Sequence, residues 1–289
     1  MSALSLDGWL WRRLAHWGSS RGPEWFVRIA PTVVGVAVCA LSRRRRAAIV
    51  RNLRKVRGRR GPIRDSVDVA RTFANYAACL AEVLGARLDE TSPSETLVSG
   101  ASHLREALAE GRGVLVVTAH AGAWESAGAL LSRNFGLPVM IVEQAERDAG
   151  AQAIQDEARR QKGLRVVHVG EDPLSALPLV RHLRERGVVA LQMDRVPVGK
   201  RARHVTMFGE NAHVPEGPLR LAALTGAPVV PVFAARQGHR RHEVFVGPSI
   251  RLTRSSGEAE LDAAAQKLAD ALSGFVRSHP TQWFHFSAE

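Results

Sequence analysis

Cysteine is scarce in this 289-residue chain: there are two, Cys39 and Cys79, each in apolar surroundings and without metal-ligand spacing. That argues against a disulfide framework or a structural zinc site and for a reducing compartment around the main body. A clean secretory leader is lacking as well, because Asp7, the Arg12-Arg13 pair and several tryptophans interrupt any apolar run near the start. Internal repeats and low-complexity linkers are absent, so the length allows one large domain or two small ones. Acidic residues are missing between Ser42 and Arg64, a stretch that carries ten arginines and lysines.

What is present divides at about residue 60. Trp9, Trp11, Trp17 and Trp25 cluster ahead of an apolar run from Ile29 to Leu41, and indole rings favour the membrane interface. From Trp25 to Leu41 a helix reaches about 26 Å, short of a hydrocarbon core of about 30 Å, and it contains Arg28 and Pro31. A segment dipping into one leaflet is therefore expected. The basic block that follows, from Arg43-Arg44-Arg45-Arg46 to Arg60, suits an anionic lipid surface and marks a cytoplasmic side. The net charge of +12 also suits nucleic acid, but the block lacks interleaved aromatics and adjoins a lipid-like segment, so no nucleic-acid partner is expected. Residues 65–85 are predicted as an amphipathic helix capped by Asp65 or Ser66, with Val69, Phe73, Tyr76, Leu80 and Leu84 on its apolar stripe.

Beyond Thr91-Ser92-Pro93-Ser94 the pattern alternates. Strands are expected at 114–118, 137–142, 164–169, 188–193, 229–234 and 244–246, and helices at 149–162, 173–186, 216–225 and 258–277. The alternation predicts an α/β fold, with a central, mostly parallel sheet covered by helices behind an N-terminal membrane-associated helical segment. The organisation expected is residues 1–60 as the membrane-associating aromatic, apolar and polybasic part and residues 61–289 as the α/β domain.

Chemistry is expected at the carboxyl ends of the strands, where ligands gather in open α/β sheets. His120 follows the strand at 114–118, with Glu125 five residues later at a helix entry. Five residues along a continuous helix is about 140° of rotation, so the two meet only if the chain bends, which Gly122 permits. A carboxylate orienting one ring nitrogen leaves the other to take a proton from a hydroxyl; a backbone-satisfied histidine beside a glutamate that favours a helix start fits the same spacing. Asp194-Arg195 lies at a second strand end, where the guanidinium can grip a phosphate or carboxylate, or form an ordinary ion pair. Pro215-Glu216-Gly217 leads into a helix whose free N–H groups can hold an anion.

His120-x4-Glu125, Asp194-Arg195, Pro215-Glu216-Gly217 and Val230-Pro231-Val232 resemble, in order and approximate spacing, the four blocks of the glycerolipid acyltransferases. Trp124-Glu125, Phe208-Gly209-Glu210, Gly217-Pro218, Thr225-Gly226-Ala227-Pro228 and Pro280-Thr281-Gln282-Trp283 resemble, more narrowly, the bacterial lipid A late acyltransferase family, which includes phosphatidylinositol mannoside acyltransferases. The resemblance implies O-acyl transfer from an acyl thioester, on acyl carrier protein or coenzyme A, to a hydroxyl of a membrane lipid of lipid A type at the cytoplasmic face of the bacterial inner membrane. It implies His120 as general base, Glu125 as its orienting acid, Asp194 as a second acid, and Arg195, Glu216 and Gly217 as acceptor-binding groups, with no metal, cofactor or covalent acyl-enzyme. Backbone N–H groups near Gly122 or at the helix start are the expected oxyanion donors, because Ala123 has no polar side chain to offer. A lysophospholipid or other glycolipid acyltransferase is the near alternative; a non-catalytic basic membrane- or nucleic-acid-binding protein is the distant one.

Overall fold

The computed structural model describes residues 13, 15–19, 22–84, 95–124, 128, 136, 138–143, 149–161, 163–170 and 173–286. Trp9, Trp11, Glu125 and the Thr91–Ser94 stretch lie outside the described residues.

Seven strands form the central sheet: β1 (Glu95–Ser99), β2 (Val114–Thr118), β3 (Val139–Glu143), β4 (Arg165–His168), β5 (Val188–Gln192), β8 (Val229–Gly238) and β9 (Arg241–Val246), in the order β1-β9-β8-β2-β5-β3-β4. Only the β8–β9 pairing is antiparallel. The mostly parallel sheet is thus as expected. β2 is buried along its whole length, because it lies between β8 and β5 with helices over both faces, and this is why its sequence is a continuous apolar run.

Sequence periodicity located most of the helices. Those described in the second half of the chain are α5 (Ala149–Gln161), α6 (Leu177–Arg184), α7 (Gly217–Thr225) and α8 (Glu258–Ser278), and α4 (Ala101–Ala109) joins β1 to β2. The helix expected over 173–186 is in fact a 3-10 turn, Pro173–Ala176, followed by α6. The pieces without a forecast are β1, α4 and a separate antiparallel hairpin of β6 (Ala202–Met207) and β7 (Glu210–Pro215). Phe208 and Gly209 turn that hairpin, both with positive φ, 55° and 82°, and this gives the Phe-Gly-Glu motif a structural reason.

At the N-terminal side come α1 (Glu24–Leu41), α2 (Arg43–Arg57) and α3 (Pro62–Leu84). α1 crosses α3 closely at Gly35, where an added Cβ would stand 2.6 Å from the carbonyl oxygen of Phe73. The basic block folds as α2 and buries Ala48, Ile49 and Leu53. Several of its charges have acidic partners: Arg54 with Asp65 at 2.9 Å, Lys55 with Glu210 at 3.0 Å, and Arg57 with Asp68. Neither Asp65 nor Ser66 caps α3, which begins at Pro62. Asp65 instead accepts from Arg54 and from the backbone N–H of Arg60, while Ser66 bonds back to the Pro62 carbonyl.

Candidate active site

The pairing of β2 with β5 builds the centre of the site. Thr118 stands opposite Gln192, and the Met193 N–H bonds the Thr118 carbonyl at 2.9 Å. Two residues beyond each strand end, His120 and Asp194 are therefore neighbours, although 74 positions separate them. Asp194 Oδ1 lies 2.9 Å from His120 Nδ1 and accepts the His120 backbone N–H at 3.0 Å, while Trp283 Nε1 donates to Oδ2 at 3.3 Å.

The Asp194 side chain is fully buried and that of His120 is 32% exposed. Burial alone would raise the carboxyl's pKa. The neighbouring His120 charge, the two hydrogen bonds from His120 and the Arg195 guanidinium outweigh it and hold Asp194 well below the usual carboxylate range. An ionised carboxylate only accepts, so Nδ1 carries a proton, and in the neutral imidazole that leaves the lone pair on Nε2. Asp194, implied as a second acid, is thus the described carboxylate in contact with His120 Nδ1; Glu125, implied as the orienting acid, is outside the described residues.

The loop bearing His120 requires Gly122. Its φ is 55°, and a Cβ there would stand 1.9 Å from the Ala234 carbonyl oxygen, so any side chain would push the loop off β8. The Gly122 N–H bonds Gln282 O at 2.7 Å, Ala123 N–H bonds Ala234 O at 2.8 Å, and Ala121 N–H bonds Ala119 O at 2.6 Å. Those donors are committed to holding the loop. The expectation that N–H groups beside Gly122 wait for an oxyanion is therefore corrected, and of the two places expected the helix start remains.

A cavity of about 750 Å³ opens beside His120. Its apolar wall includes Tyr76, Leu80 and Val83 of α3, Leu179, Leu191 and Phe284; Arg195, Lys200 and Arg201 bring positive charge to its lining. Arg195 donates to the Phe284 carbonyl at 2.6 Å, and its buried Nε has no hydrogen-bond partner among the described residues. Glu216 and Gly217 line the same cavity. The Glu216 carboxylate, however, is buried and paired with Arg203 at 3.3 Å and with Arg220. Burial opposes its ionisation, but the hydrogen bonds from Arg220 and Arg203 prevail and lower its pKa. Its carbonyl also accepts the N–H groups of Leu219 and Arg220. Glu216 thus anchors the start of α7 while Gly217 borders the space.

Sequence reasoning missed the outer supports of this site. Arg159 is buried and makes two 2.6 Å bonds to Glu143, with its guanidinium 5.8 Å from the Trp124 ring centroid. A fully buried arginine in a helix shows no distinctive spacing. Trp283 was part of a motif but carried no assigned contact, and Tyr76 and Leu80 were placed on a stripe that reads equally as core.

The fold and site define an α/β protein with a buried carboxylate and an imidazole at adjacent parallel strand ends, facing a cavity that is apolar on one side and cationic on another. The chain belongs to the bacterial lipid A biosynthesis acyltransferase family, whose sequence model matches residues 9–288. Similar relatives are the phosphatidylinositol mannoside acyltransferase of Mycobacterium tuberculosis (strain CDC 1551 / Oshkosh), 30% identical over 65% of this chain and 58% of that protein, and the phosphatidylinositol mannoside acyltransferase of Mycolicibacterium smegmatis, 30% identical over 81% of this chain and 75% of that one. The match to the first thus spans less than two thirds of its length. Among solved structures, the 1-acyl-sn-glycerophosphate acyltransferase of Thermotoga maritima aligns with a TM-score of 0.38 at 15% identity, covering 75% of this chain and 89% of that one.

Proposed function

We propose that this protein is a membrane-bound O-acyltransferase that moves a fatty acyl chain from an acyl thioester to a hydroxyl of a glycolipid. The observation that carries the reading is the His120 Nδ1–Asp194 Oδ1 contact of 2.9 Å at the edge of a cavity large enough for an acyl chain and a polar headgroup. Family membership supports it.

In this reading the acceptor hydroxyl gives its proton to His120 Nε2 as its oxygen attacks the thioester carbonyl. The tetrahedral intermediate collapses, the C–S bond breaks, and the imidazolium returns the proton to the leaving thiolate. Asp194 holds the imidazole in the required tautomer and stabilises its positive form. No covalent acyl-enzyme or metal takes part. Arg195, with its unpartnered Nε, would bind an anionic part of acceptor or donor, and Gly217 would let the substrate approach the start of α7. Glu216 contributes by fixing α7 and not by touching the acceptor. Glu125, which the resemblance implied as the orienting acid, stays a candidate carboxylate for the reaction.

The expected lipid A-type acceptor shares its chemistry with the phosphatidylinositol mannosides named for the relatives, and the similarity to those relatives favours an acceptor of the latter type. The membrane is reached through α1, an 18-residue apolar helix that is a candidate span by length and composition and of which 11% is buried; its reach of about 27 Å, just under a hydrocarbon core of about 30 Å, keeps entry into one leaflet as our reading. Trp25, Ile29, Val33 and Val34 are exposed on it, and Arg43, Arg44 and Arg51 are exposed on α2. We place the site at the cytoplasmic face of the plasma membrane, with acyl carrier protein or coenzyme A presenting the donor.

The test is a transfer assay with purified protein in anionic vesicles, a radiolabelled acyl thioester, and either a phosphatidylinositol mannoside or a lipid A precursor as acceptor. Label should enter the mannoside, with slower or no entry into the lipid A precursor. Labelling of the lipid A precursor alone would reverse the acceptor, and labelling of neither, with donor hydrolysis also absent, would remove the acyltransferase reading.

A further inference from the structure

We infer that Trp283 is a positioning residue for the His120–Asp194 pair, which makes the C-terminal segment part of the reaction centre. The inference rests on the reading of His120 as base. A buried carboxylate offers about four lone-pair sites, and His120 fills two of them through Oδ1. Among the described residues the donor that reaches Oδ2 is Trp283 Nε1, at 3.3 Å. An indole N–H can donate but not accept or ionise, so it favours the charged carboxylate and cannot reverse its part.

The orientation of the indole is fixed from several sides. Its ring stacks on His285, with centroids 5.2 Å apart and planes 8° from parallel, and meets Phe208 at 5.6 Å. Asn52 of α2 donates to the His285 carbonyl at 2.7 Å. The flanking backbone is tied to the loop that carries the base: Gln282 O accepts the Gly122 N–H at 2.7 Å, Phe284 N–H donates to His120 O at 2.8 Å, and Phe284 O accepts from Arg195. The segment keeps these bonds when the indole N–H alone is removed. Its loss therefore isolates the contact with Asp194.

The titratable and charged groups around the contact are His120 on the loop after β2, Arg195 after β5, His285 on the same segment as Trp283, and Arg277 of α8 over the Phe208 ring. With one donor fewer, Asp194 becomes a stronger acceptor for the Nδ1 proton and favours the imidazolium more.

The experiment compares wild type with Trp283→Phe and with 3-benzothienylalanine at position 283, which keeps the bicyclic shape and replaces N–H by sulfur. The decisive readout needs no substrate: the Nδ1–H resonance of His120, followed by NMR on protein labelled with 15N-histidine. It should move downfield in both variants while melting temperatures stay near wild type in the second. With substrate, kcat should fall at nearly constant KM, because Asp194 without its Oδ2 donor holds the imidazole less firmly, and the acid limb of the pH profile should move to higher pH. If the benzothienyl variant keeps the wild-type resonance, Trp283 only packs and the inference fails. Should wild-type protein transfer no acyl group, the acyltransferase reading fails, and the resonance still decides whether Trp283 acts on Asp194.

Discussion

At the scale of single residues, a buried acid changes what its neighbours can do. Asp194 stays ionised although burial opposes it, because His120 and Arg195 stand against it, and it thereby assigns the Nδ1 proton. That His120 and Asp194 sit at strand ends was legible from the apolar runs before them. That they touch was not, since contact depends on the register Thr118↔Gln192, which no local pattern encodes. For Glu216 the difference runs the other way. Its place beside a helix start is visible in Pro215-Glu216-Gly217, but the commitment of its carboxylate depends on Arg203 from β6 as well as Arg220 one turn along α7. Arg195 bonds Phe284 O, and its Nε has no partner among the described residues, so it suits binding more than proton transfer. Arg195→Lys should keep the charge and lose the planar fork, raising KM severalfold more than it lowers kcat; steady-state kinetics beside a melting curve check this, and an unchanged KM with a lowered melting temperature would make Arg195 a structural residue.

At the scale of elements, the buried strands were the easiest to read and the half-exposed ones the hardest. β2 and β5 are apolar up to their last residues, Thr118 and Gln192, because both faces are covered. β1 alternates between exposed and half-buried positions, and β6 carries Arg203, His204 and Thr206 among its apolar residues, so neither forms a run. Helix α3 shows a different limit: Val69 and Phe73 of its stripe are buried, but Tyr76 and Leu80 farther along line the cavity. A pattern of apolar residues does not say whether the opposing surface is protein or substrate. On α1 the apolar side chains are turned outward, with Val33 60% and Val34 55% exposed, so replacing both with glutamine should leave folding nearly unchanged. Vesicle flotation in 1 M salt, where charge attraction reaches only about 3 Å, should then show the double variant released and the wild type retained. Equal retention of both would shift the anchor to another surface.

Across the whole molecule, the sheet order brings distant segments to one edge. The loop after β2, the end of β5, the start of α7 and Phe284 meet around one cavity, while α3 covers it and α2 joins the basic surface to the C-terminal segment through Asn52 and His285. Charge excess and the tryptophan-rich start pointed to a membrane, and strand-helix alternation pointed to the sheet. The convergence of the C-terminal segment on the base was beyond both, because it rests on backbone bonds such as Phe284 N–H to His120 O. The central claim is that this convergence makes His120 the base of acyl transfer. Its most direct test is the initial rate of transfer by purified, vesicle-bound His120→Ala against wild type at matched protein and donor concentrations. The rate should fall by about 10²- to 10⁴-fold with melting temperature and vesicle binding preserved, whereas transfer at the wild-type rate would contradict the account.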